Sequence, residues 1–465
     1  MYVKSLNNNH TMQRLVFTSQ NNQAATTVKK KKIATGAIAA TSAITASAIG
    51  IYTFKSNSYL INLARDLSTE LDKKITTKDL RSIMTKSELI KELSKLKEEN
   101  FIASAENLKN GIFQADLHSH SNYSDGTINI QDFLNQAAEY GNKLNKINGK
   151  KFIIALTDHD GIEGTKEALK IIARNPDKYE NIKFVPGVEL SFVMPCAENS
   201  ERAKRFNSRV EMPEMLLFNI NPFSKHSKTF FNAIYEKRSD QVINAIEDAK
   251  NIFPEANFSF KEYTEFFNPR EKYFMLNQHW KIWNYLHTKS RVAEIAKEQG
   301  NDVNQLYKEF CYNIKATKKD VIPYTLNEYI NSKGIKTSSN EYNPKISELM
   351  HKEYFPQKIN DVEVKTIYEN NFDDLVNYAK NENAIMGFAH PGFTMQNFAK
   401  DKINDKLNYY IQKSNGQIKF IEKHHQAYPI GDAIGKEELE DYNKIIDRFK
   451  LIQIGGRDNH KKNLF

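Results

Sequence analysis

Six times in this chain a short apolar run, of the kind that forms a buried strand, ends on a residue able to bind a metal ion. The runs start at Ile112, Phe152, Ile182, Ala384, Ile418 and Leu451. They end in His118-Ser119-His120, Thr157-Asp158-His159, Gly187-Val188-Glu189, Ala389-His390, Glu422-Lys423-His424-His425 and Asp458-Asn459-His460. Side chains i and i+2 of an extended strand point the same way, so His118 and His120 can reach one ion together. From residue 111 onward these runs alternate with helical stretches, the pattern of a parallel α/β domain. When parallel strands close into a barrel, residues at their carboxyl ends converge on one mouth.

Helix signals fill the intervals. Residues 131–142 read as a helix after the first strand, and Asp160-Gly161-Ile162-Glu163 has the spacing of a capping box opening another. Thr85-x-x-Glu88 is a second such box, followed by Leu89, Leu93 and Leu96 at helical spacing. That helix belongs to a polar spacer over 55–110, which either packs on the main domain or another copy, or forms a stalk. Residues 224–253 make a long amphipathic helix that opens a mainly helical insertion over about 224–372. Its aromatic stretch, Phe258 to Tyr285, reads either as a platform for stacking bases or as the core of the inserted subdomain. Few basic residues interleave with those rings, which favours the core.

The amino-terminal part has a different character. Residues 1–28 are a polar, Asn/Gln-rich tail expected to be disordered. In the next segment, 29–54, Ile33 to Phe54 is a 22-residue uncharged stretch that follows four lysines, Lys29 to Lys32. It is long enough to cross a bilayer, and Ala46-Ser47-Ala48 resembles a signal cleavage site. The body would then lie on the non-cytoplasmic side, anchored through 33–54, or be secreted or periplasmic if the leader is cleaved. Six of the nine net positive charges fall within residues 1–54, so the body is near neutral and no duplex nucleic-acid partner is expected. Cys196 and Cys311 form neither a disulfide framework nor a zinc spacing.

The candidate ligands are His118, His120, Asp125, His159, Glu189, His390, Asp458 and His460. Imidazole and carboxylate donors together suit manganese, iron or zinc. Eight ligands are too many for one ion and suit two or three, with Glu189 placed to bridge. Clustered dications hold a hydroxide at neutral pH and neutralise charge on a phosphoryl oxygen, the chemistry of phosphoester hydrolysis. Asp125 lies in the turn Ser124-Asp125-Gly126, Asp160 reads as a helix cap, and Asp158 as a group that orients a liganding imidazole. His424 and His425 end a strand, so one of them is expected at the mouth, as a ligand or as a substrate contact.

The motifs Asp116-Leu117-His118-Ser119-His120, Ser124-Asp125-Gly126, Thr157-Asp158-His159-Asp160, Gly187-Val188-Glu189, Ala389-His390-Pro391 and Asp458-Asn459-His460 resemble, in order and spacing, the PHP (polymerase and histidinol phosphatase) superfamily. The resemblance spans 111–465. It implies a distorted (β/α)7 barrel with a two- or three-metal centre, manganese foremost, and hydrolysis of phosphomonoesters or phosphodiesters. By the same resemblance His118, His120, Glu189 and Asp458 would hold one ion, Glu189 and His390 a second, and Asp125, His159 and His460 a third. Arg238 and Arg291 lie where the family's small phosphatases carry phosphate-binding arginines. The family usually has another His on the strand after the glutamate. The stretch Glu214 to Asn221 has none, which implies a second ion that is weak, missing or held differently. The expected substrate is a small phosphorylated metabolite or nucleotide. The alternatives are an exonuclease on short oligonucleotides, or a tethered binding module that has lost activity.

Overall fold

The computed structural model describes residues 58–102, 112–192, 194–195, 210–211, 213–266, 279–317, 323–336, 343–350, 371–391, 403–425, 436–461 and 463–464. The tail, the 29–54 segment and Cys196 lie outside these residues. Among the described residues no helix is long and apolar enough to cross a membrane.

In chain order, helix α1 (58–71) and α2 (Lys86–Leu93) precede the first strand, β1 (Ala115–Asp116). Then come α3 (Ile130–Asn148), β2 (Phe152–Leu156), α4 (Glu163–Arg174), β3 (Ile182–Ser191) and β4 (Glu214–Phe218). A helical insertion follows, with α5 (Lys225–Ile252), α6 (Phe260–Phe266), α7 (His279–Gln299), α8 (Val303–Thr317), α9 (Pro323–Ser332) and α10 (Pro344–Leu349). The chain returns through α11 (Phe372–Asn381), β5 (Ile385–Phe388), α12 (Ile403–Lys413), β6 (Ile418–His425), α13 (Lys436–Phe449) and β7 (Ile452–Gly456).

Met194–Pro195 pairs antiparallel with Val210–Glu211 in a separate two-stranded sheet, and the seven numbered strands lie side by side in one sheet in sequence order. Neighbours are parallel except at β4, which runs antiparallel to both β3 and β5. The sheet is thus nearly closed and barrel-like, with one strand reversed. Its ends meet directly near the mouth. Leu117 N–H donates to Gly455 O at 3.3 Å, Asp458 N–H donates to His118 O at 3.1 Å, and Ser119 bridges Asn459. A Cβ on Gly456 would lie 2.3 Å from the His118 Cβ, so glycine there permits the close approach of β7 to β1.

Burial alternates along the strands as the pleat requires. Ile153 and Ala155 face a core inside the barrel with Leu117, Val185, Leu216, Phe218, Phe420 and Ile454. Phe152, Ile154 and Leu156 face outward under α3 and α4. The spacer packs on the main domain. Met84, Leu89, Leu93 and Phe101 enter the core inside the barrel, while Leu63 and Leu67 of α1 join the outer core. Thr85 caps α2 with the reciprocal Glu88 box expected from sequence. Met84 N–H donates to Phe184 O at 3.0 Å, and residues 100–102 bond along the free edge of β1. Both contacts fall on the early parts of strands, so the spacer closes the end of the barrel away from the ligands.

Residues 267–278 of the aromatic stretch lie outside the described residues, and its described rings are core. Phe258, Tyr263 and Tyr285 are buried among Val242, Ile246, Leu286 and Tyr307, with Trp283 packed against them. Cys311 is buried in the same cluster.

Candidate metal centre

Five of the parallel strands deliver ligands from their carboxyl ends, as their sequence pattern predicts. His118 Nε2 stands 3.0 Å from Glu189 Oε2 and 3.5 Å from Asp458 Oδ1. His120 Nε2 stands 3.3 Å and 3.0 Å from the same two oxygens. These four side chains offer ligand atoms that all lie within 4.8 Å of one another. His120, Asp125, His159 and His460 form a second such group, with His460 Nε2 2.9 Å and His159 Nε2 3.4 Å from Asp125 Oδ2. Glu189 stands between the groups, since its Oε2 also lies 3.2 Å from His159 Nδ1 and its Oε1 3.1 Å from His390 Nε2.

The strand after Glu189 brings a carboxylate, Glu214, to the site. Because β4 is reversed, its first residue rather than its last reaches the mouth. Glu214 Oε2 lies 3.2 Å from His390 Nε2 and its Oε1 3.4 Å from His159 Nδ1. His159, Glu189 and Glu214 make a third ligand group. Sequence reasoning sought a ligand at the end of the run Glu214 to Asn221 and so passed over its start. Glu422 was also missed. It accepts from His118 Nδ1 at 3.0 Å and from the His390 N–H at 2.7 Å.

The pair at the end of β6 divides. The register shifts between Glu422 and His424, so the extra residue turns His425 to the same side as Glu422. His425 is buried with its Nε2 3.5 Å from Asp458 Oδ2, whereas His424 stacks on Phe101 and faces Glu98. His118, Glu422 and His425 form a fourth ligand group.

One aspartate reading is corrected, and the other gains its partner. Asp160 is no helix cap: it sits at φ 48°, and α4 starts from Ile162 without a side-chain cap. Its carboxylate instead accepts from Ser191 N–H at 3.1 Å and pairs with Arg238. Asp158 does not hold His159. It accepts from Ser121 N–H at 2.6 Å and from Ser124 Oγ at 2.8 Å, which pins the turn carrying Asp125. Through Ser124, 3.3 Å from His120 Nδ1, it orients His120 instead. Of the two arginines, Arg238 is buried on α5 against Asp160, and Arg291 is buried on α7 in the helical subdomain, near Glu294.

The donor set fits divalent ions. His118 and His460 each donate from Nδ1, to Glu422 and to the Asp458 carbonyl, and each turns Nε2 towards the carboxylates. That tautomer leaves the Nε2 lone pair for a metal. Burial alone would lower the His118 pKa, but Glu189, Glu422 and Asp458 hold it well above the ordinary imidazole range. His159 and His390 are raised likewise against burial, by Asp125 with Glu189 and by Glu189 with Glu214. Conversely, Glu189, Asp125 and Asp458 are depressed against burial by the histidines around them. Such carboxylates, massed with imidazoles in a buried mouth, call for cations, and a multi-metal site supplies them. Backbone strain gathers here as well: His390 has φ 23° and Asp458 φ 52°.

Residues 116–320 match the family model of the PHP domain. The chain is also similar to a solved structure of a proposed metal-dependent phosphoesterase from Bifidobacterium adolescentis (16% identity, 75% of this chain and 89% of that chain covered, TM-score 0.38). A second similar structure is an amidohydrolase from Chromobacterium violaceum with bound sulfate and no metal (16% identity, 75% and 88% covered, TM-score 0.38). No curated protein matches the chain.

Proposed function

From the premise that this chain belongs to the PHP superfamily of metal-dependent hydrolases, we propose that it hydrolyses phosphoesters of small metabolites or nucleotides. The observation that carries this reading is the Glu189 carboxylate. It lies within 3.3 Å of His118, His120, His159 and His390, the position of a ligand shared between ions. His118, His120 and Asp458 would complete one ion, His390 and Glu214 a second, and Asp125, His159 and His460 a third. Manganese is the first choice, with iron or zinc as alternatives. Divalent ions there would activate water at neutral pH and neutralise charge on phosphoryl oxygens.

The protein's own part is to hold this array rigid. Glu422 fixes the His118 ring, Ser124 and Asp158 fix His120, and the packed interior below Leu117 keeps bulk water from the ligands' inner side. The near-neutral body supports small substrates over long nucleic acids. Burial of Phe258, Tyr263 and Tyr285 removes those rings from any base-stacking role, which counts against the exonuclease reading. The convergence of every expected ligand counts against a degenerate binding module. The lysines before residues 33–54 support a body held at, or released from, the non-cytoplasmic face of a membrane. Alkaline extraction of membranes would leave an anchored form in the pellet and free a cleaved one.

Phosphate release should be measured on a panel of nucleotides, sugar phosphates and oligonucleotides with added manganese, on wild type and Asp458→Asn. Release from the small substrates, abolished in the folded variant, is expected. Cleavage of oligonucleotides alone would overturn the substrate class. Full activity in the variant would overturn the ligand assignment.

A further inference from the structure

We propose that Arg238 is a positioning residue, which sets His159 against Glu189 through the Asp160 carboxylate, and does not itself clamp the substrate phosphate. The inference rests on the metal-centre reading above. Arg238 is 2% exposed, and its Nη2 lies 3.2 Å from Asp160 Oδ2, whose side chain is 1% exposed. Asp160 follows His159 directly and joins three elements. Its N–H donates to Glu189 O at 2.7 Å, its Oδ1 accepts from Ser191 N–H beyond Glu189 on β3, and its Oδ2 meets Arg238 on α5. His159 and Glu189 also form a bridge, with Glu189 N–H donating to Asp158 O at 3.2 Å. The backbone around His159 is thus tied to the strand bearing Glu189 by bonds that all pass through or beside Asp160.

The left-handed conformation of Asp160 makes this tie dependent on its partners. A strained residue persists only where its surroundings over-determine it. Without Arg238 the buried Asp160 carboxylate would lose the cationic partner on its Oδ2, and its rearrangement would come at the expense of the Ser191 and Glu189 bonds. Arg238 also marks a junction on α5. Ile234, one turn before it, packs in the core outside the barrel, whereas Val242, one turn after it, packs in the helical subdomain. The Arg238–Asp160 ion pair therefore connects that subdomain to the residue that follows His159.

The test uses the full-length protein in four forms: wild type, R238M, R238K and the double variant D160N/R238M. Manganese binding is followed by titration calorimetry, and KM and kcat are measured on the best substrate of the phosphate-release panel. Removing a group that orients a ligand costs about 10- to 100-fold in metal affinity. R238M should lose that much for one manganese ion, with KM unchanged and kcat reduced. R238K, which keeps the charge, should fall between R238M and wild type. The double variant removes both buried charges and should recover part of the affinity lost in R238M. A raised KM in R238M with every manganese ion bound as in wild type would overturn the proposal and make Arg238 a substrate clamp. A double variant whose losses simply add would overturn it too. Should R238M fail to fold by circular dichroism, R238K and the double variant carry the same comparison. Wild type that binds no manganese would overturn the metal-centre reading itself, a result distinct from either.

Discussion

Leu89→Ala tests whether the spacer is part of the barrel. Leu89 is 0% exposed and packs with Leu93, Met84 and Phe101 against the barrel's inner residues. The substitution removes three carbons, worth about 2.4 kcal/mol at about 0.8 kcal/mol each. The barrel strands around the site are held by their hydrogen bonds and cannot collapse inward. An unfilled cavity of about 70 Å³ would add about 1.7 kcal/mol at about 24 cal/mol per Å³. The total of about 4 kcal/mol lowers the melting temperature by about 5 °C, taking about 2.1 cal/mol/K per residue over roughly 400 residues. Leu96 is only partly buried against the same cluster, so Leu96→Ala should cost about 1 kcal/mol. Phe184, which Met84 bonds, lies five residues before Glu189 on β3, or about 17 Å of strand. Manganese content should accordingly be unchanged in both variants. Calorimetric melts and elemental analysis supply both readouts. If Leu89→Ala cost no more than Leu96→Ala, the spacer would not seal the barrel. If it emptied the centre of metal, the two ends of the barrel would not be independent.

Glu214→Ala should lose about one equivalent of manganese and keep the ion held by His118, His120 and Asp458, because the ligands that Glu214 meets are His159 and His390, beside a bond from Ser191 Oγ; full metal content would show that Glu214 is no ligand. The metal-free protein should lose stability as pH rises. His120 is raised from 6.5 to about 9, with Asp458 and Glu189 outweighing the opposing burial and the His159 charge. Its stabilising contribution is therefore complete below 6.5 and lost through about 9. Manganese binding requires neutral imidazoles, so the loaded protein should gain stability over the same range. Melts with and without manganese check both slopes, and parallel slopes would refute the linkage.

What the sequence disclosed depended on strand direction. A parallel strand ends at the mouth, so an apolar run followed by His, Asp or Glu announces its ligand, and His118, Glu189 and His390 were legible on that ground. Glu214 was not, because the reversed β4 offers its first residue, and a carboxylate before an apolar run looks like any strand-capping polar group. His425 could not be separated from His424 by alternation, since the shift after Glu422 resets the parity. Asp160 and Glu163 have capping-box spacing, but the Asp160 carboxylate is held by Ser191 and Arg238, both distant in sequence. Glu422 stood inside a recognised run and was passed over, because nothing local shows that its partner is His118.

The reversal of β4 also decides where the insertion goes. A parallel strand ends at the mouth, and the helix after it descends to the base. β4 instead releases the chain at the base, where Asn219 binds the Met84 carbonyl of the spacer. From there α5 must ascend. Its 28 residues span about 42 Å, and Arg238 meets the rim about 20 Å along. Beyond Arg238 the helix packs through Val242, Ala245, Ile246 and Ala249 in the core of the helical subdomain. One inverted strand thus sends the chain into the insertion through a helix that touches the site at Arg238, so residues that supply none of the ligands named above are joined to the centre by the Asp160 pair.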